Sequence, residues 1–271
     1  MEPLARFAVQ ALMDEATLTP KPALVDARSS GVHRDLDLPR MLRSAASLRP
    51  TFDALAREAS GQAPSQRLRE RLAHIGRCGE ESMLAATGGS NSHRGAIWIV
   101  GLLVAGAAMR GPAAGANGIA DTAAAVARFP DRLAPHRSSN GTRACARFGV
   151  AGARGEARDG FPHAVRIGLP ALGAARGRGM PEANARLDAL MAIMAHIDDT
   201  CLLHRGGQRA LDTAKAGARR VLDGGGTSRP EGQRALRALD AELVALQASP
   251  GGAADMLAAT LFLDRCTAWK H

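Results

Sequence analysis

Apolar residues recur every three or four positions along most of this chain and almost nowhere every two. Leu187, Leu190, Met191, Met194, Ile197 and Cys201 form one such stripe. Leu236, Leu239, Leu243 and Leu246 form a second, and Ala254, Leu257, Ala258, Leu261 and Arg265 a third. A period near 3.6 lines up one face of an α-helix, whereas a strand needs a period of two. β-Branched residues are sparse, so nothing competes with the helical reading. The expected fold is therefore all-α: a single compact domain over residues 1–271, with about ten helices. Breaks at 111–118, 129–141, 149–160, 173–181 and 223–232 carry Gly, Pro and Asn, but none has the length or composition of a domain linker.

Composition narrows the partners. With 46% hydrophobic residues in 271, a large core can form. Aromatics are only 3%, with no Tyr, which weighs against a protein that stacks nucleic-acid bases. The net charge of +9 favours anionic partners. Its arginines are scattered rather than run together, so no nucleic-acid arm is expected. Cys78, Cys145, Cys201 and Cys266 are far apart and form no C-x-x-C pair, which reads as free thiols in a reducing cytosol. The N-terminus lacks a basic-then-apolar signal pattern. The apolar run from Ala96 to Met109 is too short to span a bilayer and reads as a buried core helix. A cytoplasmic protein without membrane partners is expected.

Five polar clusters interrupt the helices, and folding alone does not require them. In Thr87–Gly95, Gly88 and Gly89 end one helix, and Asn91 or Ser92 can cap the next. His93 and Arg94 then fall in a first turn, where the helix dipole disfavours cations unless an anion binds. Between Thr19 and Asp37, Pro20 and Pro22 bracket Lys21, which holds the lysine on an extended strut suited to a phosphate contact. His33, Asp35 and Asp37 follow at alternate positions, with Asp35 and Asp37 as helix-start acids or one of the two as a magnesium ligand.

In the segment from His196 to Gly207, Asp198 continues the stripe of Leu187 and Met194 and is expected to face inward, with Asp199 beside the small residues Ala192 and Ala195. A carboxylate pair aimed at a core is costly without a cation, which magnesium or an arginine could supply. Around Gly152–Gly155, the glycines allow close backbone approach, Arg154 offers a phosphate fork, and Glu156 is a candidate base or metal ligand. Pro250-Gly251-Gly252 opens the last helix with bare N–H groups, and Asp255 sits in its first turn. No Walker A motif, G-x-S-x-G elbow or H-E-x-x-H occurs.

Taken in order, these clusters resemble the triphosphoribosyl-dephospho-CoA synthase family. The resemblance runs through Thr19–Asp26, Ser29–Asp37, Thr87–Gly95, Gly152–Pro162, Asp198–Gly207 and Ser249–Ala258, nearly the whole chain. Ala23 and Ser29 stand where the family pattern has Gly and Asn, and Ser90 and Ser92 where it has Val and Thr. Met41–Ser44 and Cys201–Arg205 look more like the malonate-decarboxylase branch than the citrate-lyase branch. The resemblance implies that ATP and 3′-dephospho-CoA react to give 2′-(5″-triphosphoribosyl)-3′-dephospho-CoA and adenine. ATP is then a substrate and ribosyl donor. The product would pass to a transferase that modifies an acyl carrier protein, and a homodimer is compatible with the family.

That chemistry passes through an oxocarbenium-like state and needs a base, help for departing adenine and a clamp on the triphosphate. By residue type and placement, Glu156 or Asp199 is the candidate base, assisted by His33 or His204. Lys21, Asn91, His93, Arg94, Arg154, Arg205 and Gly251 are candidates to hold nucleotide phosphates. Asp35, Glu80, Asp198 and Asp199 are the candidate magnesium ligands. Two other readings compete: a magnesium-dependent ribosyl hydrolase, and a basic helical nucleic-acid binder.

Overall fold

Helix starts and stops follow local chemistry closely in this chain. The computed structural model describes residues 2–134 and 139–269, so part of the 129–141 break lies outside the described residues. Its first half contains α1 (Glu2–Thr17), α2 (Leu38–Ser47), α3 (Arg49–Ala59), α4 (Gln66–Thr87), α5 (Arg94–Arg110) and α6 (Gly115–Ala127). The second half contains α7 (Asn140–Phe148), α8 (Gly152–Arg158), α9 (Leu169–Gly177), α10 (Glu182–His196), α11 (Thr200–Asp223), α12 (Pro230–Ala245) and α13 (Gly251–Ala268). A π-helical turn, His163–Gly168, leads into α9. There is no strand among the described residues. The all-α expectation holds, with thirteen α-helices among the described residues rather than about ten.

The caps show why. Asp37 starts α2 by accepting the Arg40 N–H at 2.8 Å, and Ser65 starts α4 by accepting the Leu68 N–H at 3.2 Å. Gly88 ends α4 in the left-handed region at φ 67°, which glycine adopts at little cost.

Three helices are buried on nearly every face and form the centre: α5, α10 and α13. Leu103, Leu190 and Phe262 are among their fully buried side chains, each worth about 1.5–3 kcal/mol by removal from water. α13 packs against α1, α5, α10 and the π-helical turn, while α11 lies between α10 and α12. The run 96–109 is thus the core helix α5, as its sequence suggests. No single helix among the described residues is long and apolar enough to cross a membrane.

One expectation is corrected here. The stripe from Leu187 to Cys201 is not one helix. α10 ends at His196, and Ile197 is extended at φ −68°, ψ 140°. Helical phase is lost across this break, so Asp198 does not inherit the inward position of Met194. Its side chain is 53% exposed and paired with Lys215 at 2.5 Å. Asp199 turns inward instead and is buried.

Candidate active site

The helix N-termini converge. A single cavity of about 1400 Å³ is bordered by residues of all five polar clusters. A pocket for one drug-sized ligand takes about 300–1,000 Å³, so this one has room for more than that.

Asp199 joins two of its walls. As the N-cap of α11, its Oδ1 accepts the Cys201 N–H at 2.8 Å and the Leu202 N–H at 3.3 Å. Its Oδ2 accepts the Ala253 N–H of α13 at 2.9 Å. One carboxylate therefore caps two helices, matching its negative charge to two positive helix ends. Gly252 makes this approach possible, because a Cβ there would lie 3.0 Å from the Asp199 Cγ. Burial pushes the carboxyl up, and the backbone amides pull it back.

α5 and α13 are joined in a similar way. A Cβ on Gly95 would stand 1.9 Å from Asp255 Oδ2, so only glycine admits that carboxylate to the start of α5. Burial pushes the Asp255 carboxyl well above the usual range, the charges of Glu15 and Asp199 add to this, and the Ala96 amide opposes it. Asp255 therefore tends toward its neutral, proton-donating form.

His93 forms the floor nearby. It is 3% exposed, its Nδ1 lies 2.7 Å from Ser44 Oγ, and its buried Nε2 has no hydrogen-bond partner. Burial, with the Lys21 charge adding, pushes the imidazole down to about 4, so it is neutral near pH 7. Lys21 is not the extended phosphate strut its prolines suggest. It is 1% exposed and donates from Nζ to the Glu15 carboxylate and backbone carbonyl, both at 2.6 Å. A buried ammonium needs such a partner, and the end of α1 supplies it. Lys21 still borders the cavity.

Glu156 and His163 form a second unit. Glu156 is 8% exposed. Its Oε1 accepts the His163 backbone N–H at 2.8 Å, and its Oε2 lies 2.7 Å from His163 Nδ1. The short helix α8 that carries Glu156 is tied to α5, since Trp98 Nε1 donates to the Ala153 carbonyl at 3.0 Å. Arg69 packs over the Trp98 ring at 4.7 Å and is 7% exposed, with its Nε unpartnered. Arg69, Arg154, Trp98 and His163 all border the cavity.

Of the residues singled out in the sequence, the cavity gathers His33, Glu80, Asn91, His93, Arg94, Arg154, Glu156, Asp198, Asp199, His204, Arg205 and Gly251, with Lys21. Arg154 and Arg205 are exposed there and make no ion pair with a described residue. Arg94 pairs with Glu80 at 2.9 Å, and Asn91 Oδ1 accepts its N–H. His33 is lowered by burial and then by the Arg205 charge. Asp35 is exposed and does not border the cavity.

The proposed magnesium set does not assemble. Glu80 and Asp198 face cations, Asp199 faces amides and Asp35 lies outside. Among the described residues, no three His, Cys, Asp or Glu side chains form a ligand group.

His163 and Arg69 border the cavity although neither is singled out by the sequence, and neither is Ser44, the partner of His93. Glu156 and His163 are seven apart, two turns on a continuous helix. Gly160-Phe161-Pro162 breaks that helix, which hid the pairing. Arg69 is one of several arginines along α4, and its local sequence does not set it apart.

The comparisons with known proteins agree in one direction. The family model described as ATP:dephospho-CoA triphosphoribosyl transferase matches residues 1–271. A probable 2-(5″-triphosphoribosyl)-3′-dephosphocoenzyme-A synthase of Stutzerimonas stutzeri (strain A1501) is 56% identical over 268 residues, covering 98% of this chain and 92% of the relative. The 2-(5″-triphosphoribosyl)-3′-dephosphocoenzyme-A synthase of Klebsiella pneumoniae is 53% identical over 262 residues, covering 97% and 94%. No solved structure matches.

Proposed function

The chain belongs to the ATP:dephospho-CoA triphosphoribosyl transferase family, a transferase acting on ATP and dephospho-CoA to make triphosphoribosyl-dephospho-CoA, and on that premise we propose how it does so and for whom. The 5-triphosphoribosyl group of ATP moves to the 2′-hydroxyl of 3′-dephospho-CoA, and adenine leaves. The observation that carries this reading is the single cavity of about 1400 Å³, large enough for two nucleotides and bordered by every polar signature segment.

Arg154 and Arg205 are free to form charge-assisted hydrogen bonds to phosphate, and Arg69 adds a buried cation whose Nε lacks a partner. Asp255, held toward its neutral form, offers a proton to departing adenine. Magnesium stays in this reading as the companion of the ATP triphosphate, since the ion binds phosphate oxygens with one or two carboxylates and several waters. Titrating EDTA into the assay tests that point.

We further propose that the product serves a malonate decarboxylase carrier protein, in the cytoplasm. The segments Met41–Ser44 and Cys201–Arg205 support that branch. Deleting the gene and weighing the intact carrier proteins by mass spectrometry tests it: the malonate decarboxylase carrier should lack its prosthetic group. The activity itself is tested by product mass spectrometry from ATP and dephospho-CoA. Adenine release that persists without dephospho-CoA would show a hydrolase instead.

A further inference from the structure

We infer that His163 is the general base that takes the proton of the attacking hydroxyl, with Glu156 as its positioning residue; this rests on the triphosphoribosyl-transfer reading above. The reaction needs a proton acceptor beside the cavity, and the two carboxylates that the sequence offers are both engaged. Asp199 has both oxygens on backbone amides of α11 and α13. Glu156 has both oxygens on one residue, His163, through its backbone N–H and its ring Nδ1.

That second arrangement creates a base. A carboxylate 2.7 Å from Nδ1 makes Nδ1–H the donor, which leaves the lone pair on Nε2. The same carboxylate stabilises the imidazolium once Nε2 gains a proton. His163 Nε2 has no hydrogen-bond partner among the described residues, and the side chain is 21% exposed where it borders the cavity. The backbone bond to Oε1 fixes the ring at the head of its π-helical turn.

The other described imidazoles that border the cavity lack this combination. The Nε2 of His93 is enclosed. His33 lies in the field of Arg205, which opposes an imidazolium. No carboxylate holds His204 among the described residues.

In the step, the 2′-hydroxyl oxygen of dephospho-CoA forms a bond to C1 of the ATP ribose as its proton passes to Nε2. The C1–N9 bond breaks, and its electron pair goes to adenine. Adenine takes up one proton and leaves neutral, and His163 later returns its proton to solvent. No oxidant or further co-reactant is needed.

The test is adenine release from ATP and dephospho-CoA by His163→Asn, His163→Ala and Glu156→Gln. Asparagine keeps an N–H for Glu156 and deletes Nε2, so it separates the base from the fold. The expected result is a kcat lower by about 10²–10³-fold in His163→Asn, within the range of general-base catalysis, with the ATP Kd unchanged. Added imidazole should restore part of the His163→Ala rate in proportion to its concentration. Glu156→Gln should lose about tenfold. His163→Asn within threefold of the parent rate, a loss of ATP binding that matches the loss of rate, or His163→Ala indifferent to imidazole would each overturn the assignment. A parent protein that releases adenine without dephospho-CoA would instead overturn the reading beneath it.

Discussion

Asp199 and Glu156 are both buried carboxylates in polar signature segments, and both border the same cavity. Their oxygens go to different places. Those of Asp199 end on amides of two helices, so its charge is used in holding α11 against α13. Those of Glu156 end on one histidine whose other nitrogen stays open. The region around Asp199 and Asp255 is a junction of helix starts. The region around α8 and the π-helical turn is a wall with free donors and acceptors. A buried acid is therefore no guide to its role until its partners are known.

The largest expected effect tests the junction. Asp199→Ala removes caps worth about 1 kcal/mol each and leaves buried amides unpaired at about 1–3 kcal/mol apiece. Urea unfolding should show a loss of about 3–5 kcal/mol. The contrast breaks if this variant keeps its stability and loses only kcat.

The floor of the junction should also respond to pH. In the unfolded chain the His93 ring takes a proton near its ordinary 6.5, and in the folded protein only near 4. Between those values the unfolded state binds more protons, so acid favours unfolding. Above 6.5 the ring is neutral in both states and contributes no slope. Stability should fall by up to about 3 kcal/mol between pH 6.5 and 4, and His93→Gln should lack that part of the fall. Denaturation curves of the two proteins at matched pH check it, and parallel curves would remove His93 from the junction.

The wall predicts the opposite pattern. Arg154→Ala should raise the KM for ATP about 10–50-fold, the value of a charged hydrogen bond. Its unfolding free energy should change by less than about 0.5 kcal/mol, because Arg154 is exposed and makes no ion pair with a described residue. A large stability loss there would erase the distinction between wall and junction. The smallest effect is expected at Lys215→Ala, which removes the exposed pair with Asp198. Under about 1 kcal/mol should be lost, with the adenine-release rate unchanged.

Much of the helical body could be read from the chain. The stripes on α12 and α13 are local, and Gly88 announces the end of α4 without help from distant residues. The break at Ile197 was masked by the apolar stripe, which keeps its helical spacing through Ile197 to Cys201 although a polar cluster begins at His196. Asp199 caps α11 locally, but it joins α11 to α13 only when Ala253 arrives 54 residues later in the chain. Lys21 shows the same limit: its prolines describe a stiff segment, but Glu15 decides that the ammonium is buried.

An all-α body with polar segments at its helix starts is written into the chain, because periodicity and capping act over a few residues. The chain also carries the family resemblance, because motif order survives without coordinates. Which acid holds the fold and which holds a histidine depends on how the helices pack. Ala253 reaches Asp199 from 54 residues away, and His163 meets Glu156 across a break in the helix, so helical spacing alone encodes neither pairing.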